Sequence, residues 1–480
     1  MSNDKKRKVI TNFIWRFLER VGAQGVAIVV SIVLQNILGP DGFGNIVLIM
    51  AITAIMQVLV DSGLGNALIQ KKDADHLDFS TVFFFNIFVC VVLYIVMFVS
   101  APYIAGYYKE SGLTNPIRVL SFTILISGVK NVQQAYVSKN MIFKKFFFST
   151  IGGTVVAAVI GIGMAINGYG VWAFVAQTVV NTAIDTFILW ITVDFRPRLE
   201  FSFARLKVLF SFGWKLLISA LINTGVEKIR VFIIGKRYTF DDLSFYNTGQ
   251  KYPELLIRNI DTSISSVLLP AMSEEQDNVS RIKTMTRRAI KTSIFFMAPA
   301  MLGLAACGNT ITRLIYEDDW SPVVPFLVIF CITYVFYPIA TANLNAMMAM
   351  GRSDLFLKLE IIKKVANLII LLLTYKHGVM AIAYGLIVME FIGQIVNTWP
   401  NKKLIGYSYR EQLWDILPTV ALAVFMSVCV YGIGFIGFNH IITFILQMII
   451  GMVIYIVGAM LFKFEIFTYM IGIIRDWNKR

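Results

Sequence analysis

Residues 80–105 read STVFFFNIFVCVVLYIVMFVSAPYIA, an apolar run with no Asp, Glu, Lys or Arg. A helical run of about 20 such residues crosses the roughly 30 Å of hydrocarbon in a bilayer. Only a helix or a closed barrel satisfies its backbone there. The apolar residues are continuous rather than alternating, which selects the helix. Runs of this kind recur near 12–38, 43–69, 116–138, 147–167, 170–193, 208–235, 250–271, 289–315, 323–348, 355–375, 378–399, 413–437 and 440–463. The sequence therefore predicts an all-α membrane protein of about 14 transmembrane helices. Turn residues punctuate the runs at Gly39-Pro40-Asp41-Gly42, Asn167-Gly168-Tyr169-Gly170 and His377-Gly378.

Composition agrees. Of 480 residues, 57% are hydrophobic and 15% charged, against roughly 25% charged in soluble domains. Mean hydropathy is +0.71. No stretch is long and polar enough to form a separate soluble domain. Cys90, Cys307, Cys331 and Cys429 lie in apolar runs, and no Cys/His metal spacing occurs. The net charge of +14 reads as topology signal and attraction to anionic lipid, not as nucleic-acid binding.

The basic residues set the orientation. Alternate connections carry Lys5, Lys6, Arg7 and Lys8; Lys71 and Lys72; Lys139, Lys144 and Lys145; Arg196, Arg198, Arg205 and Lys207; Arg281, Lys283, Arg287, Arg288 and Lys291; Arg352 and Lys358; Lys402, Lys403 and Arg410; and Lys463, Arg475, Lys479 and Arg480. The opposite side holds only Lys109, Lys236, Arg237, Lys251, Arg313 and Lys376. Positive loops stay in the cytoplasm, so both termini are expected there.

The chain also repeats. Trp15-Arg16 returns as Trp214-Lys215, Asp41-Gly42-Phe43 as Asp241-Asp242-Leu243, and Val60-Asp61-Ser62-Gly63-Leu64 as Ile260-Asp261-Thr262-Ser263-Ile264, at offsets of 199 to 200 residues. Gly170-Val171-Trp172-Ala173 returns as Gly378-Val379-Met380-Ala381. Two six-helix lobes, 1–200 and 201–400, followed by two further helices and a cytoplasmic tail in 401–480, are the expected organisation. Repeated bundles of this kind bind substrate between their halves.

Polar residues inside spans are costly, so they line cavities or pair. The first helix carries Arg16, Arg20, Gln24, Ser31 and Gln35 at near-helical spacing; the seventh carries Lys215, Ser219, Asn223, Glu227 and Arg230. The eighth adds Gln250, Glu254, Arg258, Asp261 and Ser265, and the second Gln57 and Asp61. Lesser stripes hold Lys130, Gln134 and Ser138; Gln177, Asn181 and Asp185; Glu360, Lys364 and Asn367; and Glu390, Gln394 and Asn397. A basic cleft is expected, with Arg16, Arg20, Lys215, Arg230 and Arg258 as its cations. Guanidinium groups suit a phosphate-type anion through bidentate hydrogen bonds. Gln24, Ser31, Asn223, Gln250, Gln134 and Asn181 are the polar lining. Asp61, Asp185, Glu227, Asp261 and Glu390 are candidates for pairing those cations or for taking up H⁺ or Na⁺. No nucleotide-binding or hydrolase motif occurs, and neither a cofactor nor a resident metal is expected.

Several segments resemble bacterial polysaccharide flippases, the Wzx-type polysaccharide transporter branch of the multidrug/oligosaccharidyl-lipid/polysaccharide exporter superfamily. Leu38-Gly39-Pro40-Asp41-Gly42-Phe43-Gly44 is similar to the LGP-x-x-[FY]-G turn between their first two helices, and Gly168-Tyr169-Gly170-Val171-Trp172-Ala173 to their G-x-G-V-W-A-L segment. Met350-Gly351-Arg352-Ser353-Asp354-Leu355 with Lys358-Leu359-Glu360-Ile361-Ile362-Lys363-Lys364, and Pro270-Ala271-Met272-Ser273, match further motifs in order. The turn Phe240-Asp241-Asp242-Leu243-Ser244-Phe245-Tyr246 departs by lacking the usual glycines. The resemblance implies a V-shaped cavity, alternating access and a polyprenyl-pyrophosphate-linked oligosaccharide as substrate, in a bacterial cytoplasmic membrane. It implies O-antigen, capsule or exopolysaccharide biosynthesis, with polymerase and export machinery as partners. In relatives the last two helices can shape a groove for the lipid tail. A multidrug exporter would favour a smaller, more acidic, aromatic-rich cavity. An integral membrane polymerase or ligase would need a large external catalytic loop, and a passive scaffold would not need charged stripes in both halves.

Overall fold

The computed structural model describes residues 3–61 and 63–468, with residues 3–10 and 13 as backbone only. The side chains of Lys5, Lys6, Arg7 and Lys8, the repeat residue Ser62, and Arg475, Lys479 and Arg480 of the tail lie outside the described part. Among the described residues there is no strand. The chain forms two compact units, Met1–Ser244 and Phe245–Arg480.

The first unit holds α1 (Asn3–Asp61), α2 (Leu64–Gln70), α3 (His76–Tyr108), α4 (Thr114–Asn140), α5 (Lys144–Ile166), α6 (Val171–Thr192), α7 (Phe203–Arg237) and the first turn of α8 (Phe240–Ser273). Helix α1 is two runs joined at Gly39, whose backbone (φ 67, ψ 177) is not helical. Pro40 follows it and has no N–H to continue the ladder. The second run ends at Asp61, not at 69 as the apolar pattern predicts. Gly63 adopts a left-handed φ of 69 and starts α2 in a new direction. A side chain at Gly63 would also collide with the Gly213 carbonyl, so α7 approaches this junction at backbone distance. At its other end the same run meets the α7–α8 turn. A Cβ at Gly44 would lie 2.6 Å from the Phe240 carbonyl carbon, and Ser244 donates to the Pro40 carbonyl at 2.5 Å.

The start of α3 is tied by a capping box. Asp75 accepts from the Asp78 N–H at 3.0 Å, and Asp78 accepts from the Asp75 N–H at 3.1 Å. Lys71 pairs with Asp78 at 2.5 Å and Arg205 with Asp75 at 3.2 Å. The Asp78 backbone N–H, helped by Arg205 and Lys71, holds the Asp75 carboxyl below the ordinary carboxylate range. Around it Leu64, Leu68, Phe79, Val82, Val132, Phe146 and Leu189 form the core.

The second unit holds the rest of α8, α9 (Val279–Ala306), α10 (Gly308–Ile315), α11 (Val323–Val335), α12 (Tyr337–Ala349), α13 (Ser353–Thr374), α14 (Val379–Leu404), α15 (Tyr409–Ile433) and α16 (His440–Leu461). Two expected spans carry an internal junction, and Val323–Ala349 still counts as one candidate span. The run 289–315 is α9 followed by short α10, with Cys307 between them, and 323–348 divides at Phe336, where Pro338 opens α12. Ser263, the repeat counterpart of Gly63, stays helical and donates to the Asn259 carbonyl at 2.7 Å, so the sequence repeat does not carry the Gly63 break. Met272, Ile282, Ile294, Met301, Cys331 and Ala423 are among the core residues. Asn343 is wholly buried and links α12 to its neighbours. It donates to Gln412 at 2.9 Å and accepts from Asn401 at 2.6 Å and from Gln412 at 3.1 Å.

By length and composition, ten helices can cross a membrane. The first of these contains both runs of α1. Helices α7, α8 and α13 are 35, 34 and 22 residues long, and each carries charged stripe residues. Large apolar side chains cover the outside, such as Phe88, Val92, Ile95 and Val99 along one face of α3. That is the surface a lipid-facing helix presents.

Candidate functional site

In the first unit α7 packs on the second run of α1, near Leu48 and Gly63, while the stripe of the first run lies beside α5. Arg16 pairs with buried Glu19 at 2.6 Å and lies over the Phe146 and Phe143 rings at 5.0 and 5.7 Å. Its charge is already matched by groups on α1 and α5. Arg20, one turn further on, is exposed, Gln24 and Ser31 are half-buried, and Gln35 is buried. On α7, Lys215, Ser219 and Asn223 are exposed and Arg230 is half-buried. Glu227 pairs with its neighbour Lys228 at 2.9 Å.

Deeper in this unit, Lys130 of α4 meets Asp185 of α6 at 3.1 Å, with side chains 14% and 13% exposed. One carboxylate oxygen of Asp185 is buried without a protein partner. Asp61 accepts from Gln57 at 3.0 Å, with Lys130 and Asn131 nearby, and Asn131 donates to the Val60 carbonyl at 2.9 Å. Gln134 is half-buried on the same helix as Lys130. Asn181 is packed by small-residue contact: a Cβ at Gly153 of α5 would sit 2.8 Å from its side-chain oxygen.

In the second unit the Arg258 side chain is 70% exposed and pairs with Glu254 at 3.4 Å. Asp261, one turn on, accepts from Thr341 of α12. Gln250 donates to Tyr334 at 3.1 Å. Glu390 accepts from Gln394 at 2.6 Å, and Gln394 also donates to the Phe336 carbonyl at 2.8 Å, where α11 gives way to α12. Lys363 and Glu360 pair at 2.5 Å.

The acidic candidates therefore have identified partners. Asp185 and Glu227 pair with lysines, while Asp61, Asp261 and Glu390 are held by the neutral donors Gln57, Thr341 and Gln394. Glu254 partners Arg258, and Thr341 joins Asp261 from outside the stripes. Thr341, Asn343 and Asn345 were visible only as polar interruptions of the apolar run 323–348.

The second unit also carries an open apolar groove of about 690 Å³ between α9, α15 and α16, lined by Phe295, Phe296, Leu304, Met426, Phe444 and Met452 among others. Its lining offers almost no polar groups, so it suits an aliphatic guest. Among the described residues, no group of three or more His, Cys, Asp or Glu side chains is placed to hold a metal.

Comparison with known proteins agrees with the motif resemblance. The chain is 22% identical over 446 residues to the lipopolysaccharide biosynthesis protein WzxC of Escherichia coli (strain K12), covering 89% of each. It is 22% identical over 390 residues to the teichuronic acid biosynthesis protein TuaB of Bacillus subtilis (strain 168), covering 80% of each. Its fold matches that of the lipid II flippase MurJ in an inward closed conformation, with a TM-score of 0.77, 16% identity, and 94% of this chain and 98% of that one covered. The family described as polysaccharide biosynthesis protein matches residues 33–325. The chain belongs to the polysaccharide biosynthesis protein family.

Proposed function

We propose that this protein is a flippase that moves a polyprenyl-pyrophosphate-linked oligosaccharide across the bacterial cytoplasmic membrane. The observation that carries the reading is a cationic stripe on each of α1 and α7, helices long enough to span a bilayer. Arg20 and Lys215 are exposed there although charge in a span is costly. Such groups bind a pyrophosphate through charge-assisted hydrogen bonds. Arg230 adds to the basic groups of α7, Arg258 is a separate candidate cation of the second unit, and Arg16 is held by Glu19.

Gln24, Ser31, Gln134, Asn181, Asn223 and Gln250 offer donors and acceptors for sugar hydroxyls. The groove between α9, α15 and α16 has the chemistry for a polyprenyl chain. Asp61, Asp185, Glu227, Asp261 and Glu390 divide between charge pairing and uptake of H⁺ or Na⁺, with Asp61 and Glu390, held by neutral amides, best suited to uptake. Fourteen spans with both termini cytoplasmic follow if α1 counts twice and charged α7, α8 and α13 also cross. Substrate binding then shifts the population between inward and outward states. O-antigen, capsule or exopolysaccharide assembly is the setting, with a polymerase and export machinery downstream. The multidrug-exporter alternative is not favoured, because the family and the named relatives are polysaccharide proteins.

The test is export in cells. Arg20→Ala, Arg230→Ala and Arg258→Ala variants, present in the membrane at normal level, should lose surface polymer and accumulate lipid-linked units inside. Normal polymer in all three would reject the basic-stripe reading.

A further inference from the structure

The segment joining α6 to α7 does not behave as a solvated loop. It is fastened to the rest of the first unit at three points. Gln133 donates to the Phe195 carbonyl at 2.9 Å, the Arg198 N–H donates to the Ser80 hydroxyl at 3.0 Å, and the Ser202 N–H donates to the Thr81 hydroxyl at 3.2 Å. Ser80 and Thr81 are fully buried, and the Phe195 ring stacks on Tyr136 at 5.3 Å. Val193 and Phe195 are buried, and the backbone is thereby fixed with Leu199, Phe201 and Phe203 exposed. Leu199 is 94% exposed, Phe203 is 78% exposed, and Phe201 packs edge-on against Phe203 at 4.8 Å.

Apart from the Phe201–Phe203 contact, these apolar groups are left largely uncovered by the protein. A segment lying between the end of one span and the start of the next sits at the level of the headgroups, where apolar side chains can enter the upper acyl layer. Of the charges nearby, four are basic and two acidic: Asp194 pairs with Lys145 at 3.5 Å, and Glu200 is exposed between Leu199 and Phe201. Arg196 is spent at the end of α6, donating to the Phe195 carbonyl at 2.8 Å and to Val193 and Trp190. Arg205 is held by Asp75. Arg198 and Lys207 are exposed on either side of the apolar cluster.

We propose that residues 193–208 form an interfacial anchor for anionic lipid. Leu199, Phe201 and Phe203 enter the cytoplasmic leaflet, and Arg198 and Lys207 contact anionic headgroup phosphates. The strap continues directly into α7, so lipid engagement fixes the starting position of the helix that carries Lys215 and Arg230. The inference rests on the membrane reading and the proposed cytoplasmic orientation of this connection, and not on the transported substrate.

The experiment places a nitroxide at Leu199→Cys in the full-length protein and measures collision with oxygen and with a water-soluble nickel chelate. Wild type is labelled in parallel to subtract signal from the native cysteines. The protein is reconstituted in phosphatidylethanolamine–phosphatidylglycerol vesicles and in phosphatidylcholine vesicles. In the anionic vesicles the label should lie about 5–10 Å below the phosphates, shielded from nickel. Arg198→Glu with Lys207→Glu should raise nickel collision more than about tenfold, since each basic contact near an anionic surface changes partitioning about fivefold. Leu199 makes no packing contact to lose, and an unchanged elution profile shows that the charge-reversed protein remains folded. A label as open to nickel as one in bulk water overturns the anchor. A label equally shielded in phosphatidylcholine and in the charge-reversed variant overturns the assignment to anionic lipid.

Discussion

Replacing Gly63 by Ala tests the junction on which the first unit turns. Two costs follow from the structure. Gly63 has φ 69, and a left-handed backbone costs an L-residue roughly 1–2 kcal/mol. The new methyl would also lie 2.9 Å from the Gly213 carbonyl carbon and 3.2 Å from its Cα, well inside the contact distance of about 3.5–4.0 Å for carbon atoms. Both obstacles are backbone, so α7 must move by several tenths of an ångström. Overpacking of this kind costs about 1–3 kcal/mol. The sum is about 3 kcal/mol, or a melting shift of roughly 6–12 °C for a unit of this size. Thermal melting of purified protein in detergent reads it. Gly213→Ala should cost less: its own backbone is helical, and its Cβ would meet Gly63 and Leu64 atoms no closer than 3.2 Å. Gly25→Ala, with nothing within 4 Å, should melt at or slightly above wild type. The order Gly63, Gly213, Gly25 comes from the geometry alone. A Gly63→Ala protein that melts with Gly25→Ala would refute the close approach of α7 to the α1–α2 junction.

The other predictions concern polar groups. Lys130→Ala should leave the Asp185 carboxylate buried without its cation, at a cost of about 3–5 kcal/mol, whereas Lys130→Met with Asp185→Leu should recover most of the loss; a melting cycle over the three proteins measures it. Asn343→Ala removes the shared partner of Asn401 and Gln412 and should cost about 1–3 kcal/mol, read as earlier melting of the second unit. Asp75→Asn should destabilise at neutral pH, with a difference that shrinks in acid. The Asp75 carboxyl is held below its ordinary value, so its stabilisation is present above the unfolded value near 3.9 and is lost as pH falls through the lower folded value. Melting at pH 7 and near pH 3 gives the two differences, and equal differences would remove the carboxylate from the explanation.

The helices were legible because hydrocarbon demands long apolar runs, and 80–105 alone excludes a soluble fold. The breaks were less so. Gly63 and Phe336 interrupt runs that remain apolar on both sides, and hydropathy does not register a change of direction that a glycine or a nearby proline makes possible. In α7, α8 and α13 the failure is instructive. Their charges hold them below the hydropathy of the ten apolar helices, yet those same charges mark them as the helices of interest. The partners of the charges were legible only where they share a helix, as Arg258 and Glu254 do. Lys130 reaches Asp185 across 55 residues, and Thr341 reaches Asp261 across 80. Spacing along one helix names a face, but only packing says what the face meets.

That distinction reorders the cations. Read from sequence, Arg16, Arg20 and Lys215 are equivalent members of matching stripes. In the structure Arg16 is neutralised by Glu19 and covered by two rings, and Lys130, deeper and less exposed, is neutralised by Asp185. A cation already paired in a low-dielectric setting gains little from a second anion, because the first has already offset its desolvation. An exposed cation such as Arg20 or Lys215 retains its full attraction for a pyrophosphate. Removing the paired cations should therefore cost folded protein, and removing the exposed ones should cost transport at normal protein levels. Measuring membrane abundance beside export for Lys130→Ala and Arg20→Ala separates the two classes. The reverse pattern would mean that burial does not determine which positive charges remain available to a substrate.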